Sequence, residues 1–317
     1  MFSPQVYPGG PSRDIRKKEA AVIMIDTGLA NKVVIVTGAN HGMGAAIAAA
    51  FAKQGTKVLI HYYRAGAEAY GDLSEDDANK AAVPGRAYYF KMQTTSPDEL
   101  IKTIRNSGGE CFALESDLAE PENIPTIFDK AEEVLGPVDI VVNNAAYCKC
   151  DTFIPEDELK KQPPFVDEFP KVTVSAQSHD SHFAVNSRAV TLMMAEFAKR
   201  YIARKAAWGR IINISSDGAF GYSEVISYYA SKWAAESFTR AAAVELGPYG
   251  ITVNVISPGA VNTGWLPPET EKNLAGTYPL RRLGKPEDIA NAVIFMASVQ
   301  ADWITGQVLF VGGGNRM

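Results

Sequence analysis

Short apolar runs recur along the chain, and each is followed by a stretch with mixed polar and apolar positions. The runs are rich in Val, Ile and Leu, which is typical of parallel strands that are buried on both faces. Seven such runs lie at 32–38, 57–63, 110–117, 138–145, 209–216, 251–259 and 306–314. The stretch GAAIAAAFAKQG, from Gly44 to Gly55, is the clearest of the helical patterns between them. The alternation predicts one α/β domain with a doubly wound, seven-stranded parallel sheet flanked by helices.

Two stretches interrupt this alternation, one at 65–96 and one at 147–180. Both are longer than an ordinary connection, and long irregular segments in a compact domain are usually functional or disordered. We expect them to be insertions that form a lid or an oligomer contact. Residues 1–28 begin with a segment rich in Pro, Gly and Ser, which predicts a flexible arm ahead of a domain at 29–317.

The composition excludes several classes of protein. A chain of 317 residues with 46% hydrophobic residues can build one large core. A net charge of −5 argues against a nucleic-acid partner, and no apolar run reaches the ~20 residues of a membrane helix. Three cysteines are a poor disulfide framework, which favours a cytoplasmic protein. The pairs Cys148/Cys150 and His179/His182 lie in loop-like sequence without further ligands at metal spacing, so we expect no metal site.

The segment TGANHGMG, from Thr37 to Gly44, joins the first predicted strand to the first predicted helix. Its glycines allow the backbone to turn sharply and to approach a pyrophosphate, while the helix N-terminus offers free N–H groups to the anion. In this strand–turn–helix context the loop predicts a dinucleotide cofactor bound to a Rossmann fold.

A second motif lies in SYYASKWAAES, where Tyr228 precedes Lys232 by four residues. Residues i and i+4 share one face of a helix, so the ammonium would project beside the phenol. A phenol with a pKa of about 10 becomes a usable acid or base at neutral pH when a nearby cation favours its anion. The pair is therefore predicted to be an acid–base couple, with two loosely stacked surface side chains as the alternative. Tyr229 has Trp233 four residues on, and we expect it to pack in the core.

Together these motifs resemble the short-chain dehydrogenase/reductase family. The resemblance runs from about Gly28 to Gly314 and is closest to 3-oxoacyl reductases and glucose dehydrogenases. The further segments that carry it are NNAA at 143–146, FAVNS around Asn186, the pair Ser215-Ser216, PGAVNT at 258–263 and RLGKPEDIANAVIFMAS at 282–298. The two insertions depart from both of these branches, which leaves the substrate open.

The resemblance implies reversible hydride transfer between a nicotinamide and a carbonyl/alcohol pair, with reduction as the direction in the cell. Tyr228 would donate the proton, and Lys232 would lower its pKa and hold the nicotinamide ribose. Ser216 would orient the substrate oxygen, with Ser215 as the competing choice. Asn186 would hold a water in the proton relay. Family members usually assemble as dimers or tetramers, so we expect a homotetramer that acts on a small molecule.

The resemblance also implies a set of cofactor contacts. The adenine would meet Asp117 and Leu118, its ribose Asn144 and Ala145, and the carboxamide Val261 and Thr263. The full set implied for the cofactor is Gly38, Asn40, His41, Gly42, Met43, Gly44, Arg64, Asp117, Leu118, Asn144, Ala145, Tyr228, Lys232, Val261 and Thr263.

The end of the second predicted strand bears on the choice between NADP and NAD. It reads His61-Tyr62-Tyr63-Arg64, without the acid that would hold a ribose 2′-hydroxyl and repel a 2′-phosphate. Arg64 could pair with that phosphate, and His41 adds a base in the glycine loop. We therefore predict NADP(H). Two alternatives stay open: an NAD-dependent sugar or secondary-alcohol dehydrogenase, and a non-catalytic dinucleotide sensor.

Overall fold

The computed structural model describes residues 25–64, 66, 71–162 and 169–315. Its centre is a seven-stranded sheet in which every neighbouring pair is parallel. In the described residues the strands are β1 Val33–Val36, β2 Lys57–Tyr62, β3 Cys111–Glu115, β4 Ile140–Asn143, β5 Cys150–Thr152, β6 Lys171–Thr173, β7 Gly209–Ile214, β8 Ile251–Pro258 and β9 Val308–Val311. The main sheet has the order β3-β2-β1-β4-β7-β8-β9, which confirms the predicted fold class.

Helices cover both faces of this sheet. In chain order they are α1 Gly42–Lys53, α2 Glu75–Lys80, α3 Arg86–Thr94, α4 Asp98–Asn106, α5 Asn123–Val134, α6 Glu156–Leu159, α7 Ala176–Phe183, α8 Val190–Ala203, α9 Ile226–Leu246, α10 Pro268–Ala275 and α11 Pro286–Ala297. One apolar core joins α1 and α11 to the sheet, and a second joins α5, α8 and α9 to its other face. In the described part of the chain, no helix is both long and apolar enough to cross a bilayer.

The order of the strands reverses between β1 and β4, which are hydrogen-bonded neighbours. The connections that leave these two strands run to opposite faces of the sheet, so a crevice opens at their carboxyl ends. In an open α/β sheet this is where ligands bind. The glycine loop after β1 and the segment after β4 lie at that crevice.

The first insertion contains two helices rather than an irregular loop. α2 begins with a capping box in which the side chains of Ser74 and Asp77 each bond the other's backbone N–H. α3 carries Phe90, which is buried, and begins after Gly85 without a side-chain cap. The sequence signal for α2 was local and available, whereas α3 depends on the surface that it packs against.

The second insertion is also ordered over most of its length. β5 and β6 pair in parallel as a separate two-stranded sheet, and α6 lies between them in sequence. α7 starts with a second capping box, between Ser175 and Ser178, and runs into a π-helical turn at Ala184–Ala189. The prediction of irregular loops was therefore wrong for both insertions. Residues 1–24 of the predicted arm lie outside the described residues.

Candidate active site

The glycine loop has the conformation that its glycines were expected to supply. Gly38 and Gly42 have positive φ angles of 63° and 54°. A Cβ atom on Gly44 would lie 2.1 Å from the carbonyl oxygen of Gly38, so no other residue fits there. α1 begins at Gly42, and no side chain caps its N-terminus. The N–H groups of its first turn are therefore available to an anion, and this cradle fits the pyrophosphate of a dinucleotide.

Asn144 fastens this loop to the end of β4. Its Nδ2 atom donates to the carbonyl oxygens of Thr37 and Gly38, at 2.9 and 3.0 Å. The Thr37 hydroxyl accepts in turn from the backbone N–H groups of Asn144 and Ala145, both at 3.0 Å. Asn144 Oδ1 is buried and has no protein partner, so one acceptor remains for a ligand. Asn144 thus holds the loop, and the contact of Asn144 and Ala145 with the cofactor ribose stays a prediction.

His41 does not supply the positive charge that the sequence suggested. Its ring lies beside Tyr89 of α3, with 5.9 Å between ring centroids, and its Nδ1 atom lies 3.2 Å from Asn40 Oδ1. Burial lowers the pKa of His41 to about 4, because the charged imidazolium loses its hydration there. The imidazole is therefore neutral at physiological pH. The prediction that His41 adds a positive charge for the 2′-phosphate of NADP is therefore wrong for the ligand-free protein.

Arg64 lies at the end of β2, as predicted, but it has a partner that the sequence did not reveal. Its Nε and Nη2 atoms donate to the two carboxylate oxygens of Glu115, at 2.8 and 2.7 Å. β2 and β3 pair so that Tyr62 lies opposite Glu115, which brings the carboxylate next to the guanidinium. Bidentate pairs of this kind are specific in geometry. A phosphate that binds Arg64 must compete with Glu115.

The remaining residues expected at the cofactor lie along the same carboxyl edge of the sheet. Asp117 follows β3, and its Oδ1 atom accepts from the N–H of Ala119 at 2.8 Å, while Leu118 is buried. Val261 is buried after β8. Thr263 lies directly against the glycine loop, since a Cβ atom on Gly42 would lie 3.0 Å from its methyl carbon. Met43 packs on the core below the loop.

Tyr228 and Lys232 lie in the first two turns of α9, on one face of the helix. Lys232 is 2% exposed, and its Nζ atom donates to the carbonyl oxygen of Ile214 at 2.8 Å. The same Nζ lies 5.7 Å from the centroid of the Tyr228 ring. Burial lowers the pKa of Lys232 to about 8. The ammonium is thus fixed between the end of β7 and the phenol, which excludes the interpretation as loosely stacked surface side chains.

The pKa of Tyr228 is raised well above its usual value, first by burial and then by negative charge that would develop on Cys148 and Tyr229. Lys232 is not among the main causes of this shift, so the lowering that the sequence suggested does not appear in the ligand-free protein, where desolvation of the phenolate dominates. The phenol is protonated at neutral pH. A protonated phenol in a cleft is in the correct state to donate a proton.

The two serines after β7 have different surroundings. Ser215 is buried, and its hydroxyl donates to Glu236 Oε1 at 2.7 Å. Ser216 is half-buried and lies near the Tyr229 hydroxyl. The geometry therefore favours Ser216 as the serine that faces the cleft. The expectation that Tyr229 packs in the core was wrong, because its half-buried ring lies against Gly218 in the loop after β7.

Asn186 is fully buried in the π-helical turn before α8. Its Oδ1 atom accepts from the N–H of Tyr147 at 2.9 Å, and its Nδ2 atom donates to the carbonyl oxygen of Tyr147 at 2.8 Å and to Ser231 Oγ at 3.0 Å. Single π turns often mark functional sites. Asn186 thus joins Tyr147, at the start of the second insertion, to Ser231 of α9, the residue before Lys232.

The residues weighed as metal ligands do not form a site. Both ring nitrogens of His182 contact backbone atoms, of Ser178 and Lys149, and His179 stacks on Phe183. In the described residues no group of three or more His, Cys, Asp or Glu side chains could hold a metal ion. All three cysteines are free thiols.

Comparisons with known proteins agree with this geometry. A family model described as Enoyl-(Acyl carrier protein) reductase matches residues 78–316. The chain is 34% identical over 253 residues to the uncharacterized oxidoreductase YjdA of Bacillus subtilis, covering 78% of this chain and 94% of that one. It belongs to the short-chain dehydrogenase/reductase family.

Other members of the family are similar over most of their length. A short-chain type dehydrogenase/reductase of Picea abies is 34% identical over 291 residues, covering 90% of this chain and 93% of that one. A hydroxynaphthalene reductase-like protein Arp2 of Metarhizium guizhouense is 30% identical over 305 residues, with 90% and 96% covered. A crystal structure of a dehydrogenase/reductase from Sinorhizobium meliloti superposes with a TM-score of 0.70 at 28% identity, covering 92% of this chain and 98% of that one.

This short-chain dehydrogenase/reductase is therefore an oxidoreductase that acts on CH–OH or C=O groups. Three residues near its site were missed in the sequence: Glu115, Tyr229 near Ser216, and Tyr89 beside His41. Each depends on a contact between segments distant in the chain. Only Glu115 could have been found from the sequence, because β2 and β3 were both predicted as parallel strands and their pairing brings Glu115 next to Arg64.

Proposed function

We propose that this enzyme is an NADPH-dependent reductase that converts a ketone into a secondary alcohol. The observation that carries the proposal is the placement of the Lys232 ammonium, whose Nζ atom lies 5.7 Å from the centroid of the Tyr228 ring and donates to the carbonyl oxygen of Ile214. Bound nicotinamide supplies the hydride. Tyr228 donates its proton to the developing alkoxide, and the positive charge of Lys232 stabilises the phenolate that remains.

The other two residues of the site support this transfer. The Ser216 hydroxyl orients the carbonyl oxygen toward Tyr228, and Ser215 cannot because Glu236 holds it. Asn186 fixes the backbone of Tyr147 and the hydroxyl of Ser231, which orders the path by which a proton returns to Tyr228. The relative named hydroxynaphthalene reductase-like supports the reductive direction for this chain.

Arg64 is the residue that favours NADP(H) over NAD(H). It is exposed just after β2, and the residues at the end of that strand, His61-Tyr62-Tyr63, include no acid. The second candidate, an NAD-dependent dehydrogenase of a sugar or secondary alcohol, is favoured by one observation. Glu115 neutralises Arg64 in the ligand-free protein, which removes net positive charge from the place of a 2′-phosphate.

Titration of the protein with NADPH and NADH, followed by cofactor fluorescence, tests this choice. Arg64→Ala should weaken NADPH binding about tenfold or more, because it removes the charged hydrogen bonds between Arg64 and the 2′-phosphate. NADH has no 2′-phosphate, so its binding should stay nearly unchanged. Glu115→Gln should tighten NADPH binding, because Arg64 is then released to the phosphate. Equal affinities for both dinucleotides in all three proteins would favour the NAD-dependent dehydrogenase.

Turnover separates an enzyme from a dinucleotide sensor. NADPH oxidation with a panel of aliphatic, cyclic and aromatic ketones should be detectable for at least one class of ketone. Tight NADPH binding without oxidation by any ketone, and without NADP⁺ reduction by the matching alcohols, would favour the sensor.

The proposal extends to assembly and location. α9 exposes Trp233, Phe238 and Val244, and the loop before β9 exposes Trp303 almost completely. Apolar surface of this kind supports a homotetramer or dimer, with a small carbonyl or alcohol as the only other partner. Light scattering should give two or four times 34.2 kDa. Free thiols at all three cysteines support a cytoplasmic location.

A further inference from the structure

Two consecutive residues at the end of β7 are hydrogen-bonded to α9, the helix that carries Tyr228. The carbonyl oxygen of Ile214 accepts from Lys232 Nζ at 2.8 Å, and Ser215 Oγ donates to Glu236 Oε1 at 2.7 Å. Lys232 and Glu236 lie four and eight residues after Tyr228, so the two bonds follow the phenol on successive turns of the helix. The position of Tyr228 along β7 is thus set by side-chain bonds and not by apolar packing alone.

The sheet holds the other side of this junction. The N–H of Ser215 donates to the carbonyl oxygen of Ile256 at 2.8 Å, and the N–H of Asp217 donates to that of Pro258 at 2.9 Å. Ser216 lies between these two bonds to β8, so its backbone is fixed by the sheet independently of α9. A bond from α9 to Ser215 therefore sets the position of the helix relative to Ser216.

Glu236 is buried at a cost that packing does not require. Its side chain is 2% exposed, and burial raises its pKa because the charged form loses hydration. Its Oε2 atom is buried without a hydrogen-bond partner among the described residues, although Arg240 Nη2 lies 3.6 Å away. An apolar side chain would fill this place without an unsatisfied polar atom. A departure of this kind is expected where function requires the polar group.

We propose that Glu236 is a positioning residue for hydride transfer: through its bond to Ser215 it holds the Tyr228 phenol at the correct distance from the Ser216 hydroxyl. The inference rests on the proposed function of Tyr228 and Ser216, but not on the direction of the reaction or on the choice between NADP and NAD. Both hydroxyls must meet one oxygen atom of the substrate. A shift of α9 along β7 moves the phenol away from that atom, and a misplacement of about 1 Å can cost about a hundredfold in rate.

Steady-state kinetics of the full-length protein at saturating NADPH, with the ketone that the wild type reduces fastest, test this role. Glu236→Leu removes the acceptor of the Ser215 hydroxyl, so the turnover number should fall about ten- to a hundredfold while the dissociation constant of NADPH changes less than about twofold. Glu236→Gln keeps a carbonyl oxygen in the place of Oε1 and should stay within about threefold of the wild type. A role in stability alone would leave the turnover numbers of the folded variants equal.

Thr239→Val is the matched control on the same helix. Thr239 is fully buried, and its Oγ1 atom accepts from Asn213 Nδ2 at 2.8 Å, which is another bond between α9 and β7. It lies farther from Tyr228 than Glu236 does, so its loss should lower the urea midpoint and leave the turnover number within about twofold of the wild type. A loss of turnover as large as in Glu236→Leu would contradict the proposal, because any weakened contact of α9 would then have the same effect.

Ser215→Ala breaks the same bond from the strand side and replaces Glu236→Leu if that variant does not fold. Its turnover number should fall to a similar extent, and the double variant should be no slower than the slower single variant. Losses that multiply in the double variant, or wild-type turnover in a folded single variant, would overturn the proposal. An equal loss in Glu236→Gln and Glu236→Leu would also overturn it, because the charge and not the hydrogen-bond acceptor would then matter.

Urea unfolding of the ligand-free variants gives a readout that needs no substrate. The midpoint shifts of Ser215→Ala and Glu236→Leu should sum to more than the shift of the double variant, because both changes remove one bond. Additive shifts would show that the bond is not made, and the proposal would be wrong. If the shifts are not additive but the wild type converts neither ketones nor alcohols, the proposed function fails while the bond between α9 and β7 stands.

Discussion

The two insertions both reach the crevice, where Tyr89 of the first contacts Phe169 of the second, and they are attached to the domain in different ways. The first lies over the cofactor side through polar contacts of α3 with two loops, and little of it is buried in the core. The second supports the catalytic side through buried charges. Asp151 of β5 is fully buried, and its Oδ1 atom accepts from the N–H of Ser227 at 3.0 Å. The difference indicates that the second insertion is the one that fixes the start of α9 next to Tyr228.

The buried contacts of the second insertion converge on the start of α9. Ser227 is the second residue of that helix, where N–H groups have no partner within the helix. Asp151 supplies one, and its Oδ2 atom also accepts from the Ser178 hydroxyl of α7 at 3.2 Å. Lys171 of β6, whose side chain is 4% exposed, pairs with Glu224 just before α9 at 2.6 Å. These bonds fix the residue next to Tyr228.

Asp151→Ala should have the largest effect on stability. It leaves the buried N–H of Ser227 without its acceptor, which costs about 1–3 kcal/mol, while the half-buried Ser178 hydroxyl keeps the carbonyl oxygen of Ser175 as an acceptor. Urea unfolding should show the loss, and the rate of ketone reduction should fall with it because Tyr228 is no longer held. Asp151→Asn keeps an oxygen for the Ser227 N–H and should lose clearly less. Wild-type stability in Asp151→Ala would remove the distinction between the insertions.

Tyr89→Ala is the counterpart in the first insertion. Its half-buried side chain lies between two loops and not in either core, so the free energy of unfolding in urea should fall by less than it does in Asp151→Ala. Its effect should appear instead in the binding of NADPH, because the Tyr89 ring contacts His41 of the glycine loop. A stability loss equal to that of Asp151→Ala would mean that α3 is part of the rigid frame.

The pH dependence of stability should differ between the catalytic side, where Lys232 titrates, and the cofactor side, where His41 lies. The pKa of Lys232 is lowered by burial to about 8 from 10.5. Below pH 8 it is charged in the folded and unfolded states, and the full cost of burying the charge is present. Between pH 8 and 10.5 the unfolded state holds more protons, so stability from this group rises with pH.

Lys232→Met should abolish that rise in thermal unfolding measured from pH 7 to pH 10.5. On the cofactor side His41 has its pKa lowered to about 4, so it stays neutral throughout this range and adds nothing to the slope. If the stability of Lys232→Met still rises between pH 8 and 10.5, another titrating group must cause the rise.

The sequence predicted the sheet and the central motifs because their signals are local. The seven apolar runs, the glycines of the first loop and the i,i+4 spacing of Tyr228 and Lys232 each need only neighbouring residues. The partner of Arg64 was missed because Glu115 reaches it through the register of two strands. The state of His41 was also missed, because its burial depends on α3, which packs there from an insertion.

The choice between Ser215 and Ser216 shows the limit of an assignment made from sequence spacing alone. Ser215 and Ser216 are chemically equivalent in sequence, and only the positions of Glu236 and Tyr229 in the fold separate them. For the same reason Tyr229 was expected in the core, since nothing near it in sequence indicated that it would turn toward Ser216.

The turnover number of Tyr228→Phe, compared with that of Tyr229→Phe, tests the central claim most directly. Both are measured at saturating NADPH with the ketone that the wild type reduces fastest. Tyr228→Phe should lose about 10²–10⁴-fold, because the proton donor is removed. Tyr229→Phe should stay within about tenfold of the wild type, because it removes a hydroxyl near Ser216 and not the proposed proton donor. Wild-type turnover in Tyr228→Phe, or a larger loss in Tyr229→Phe, would contradict the account.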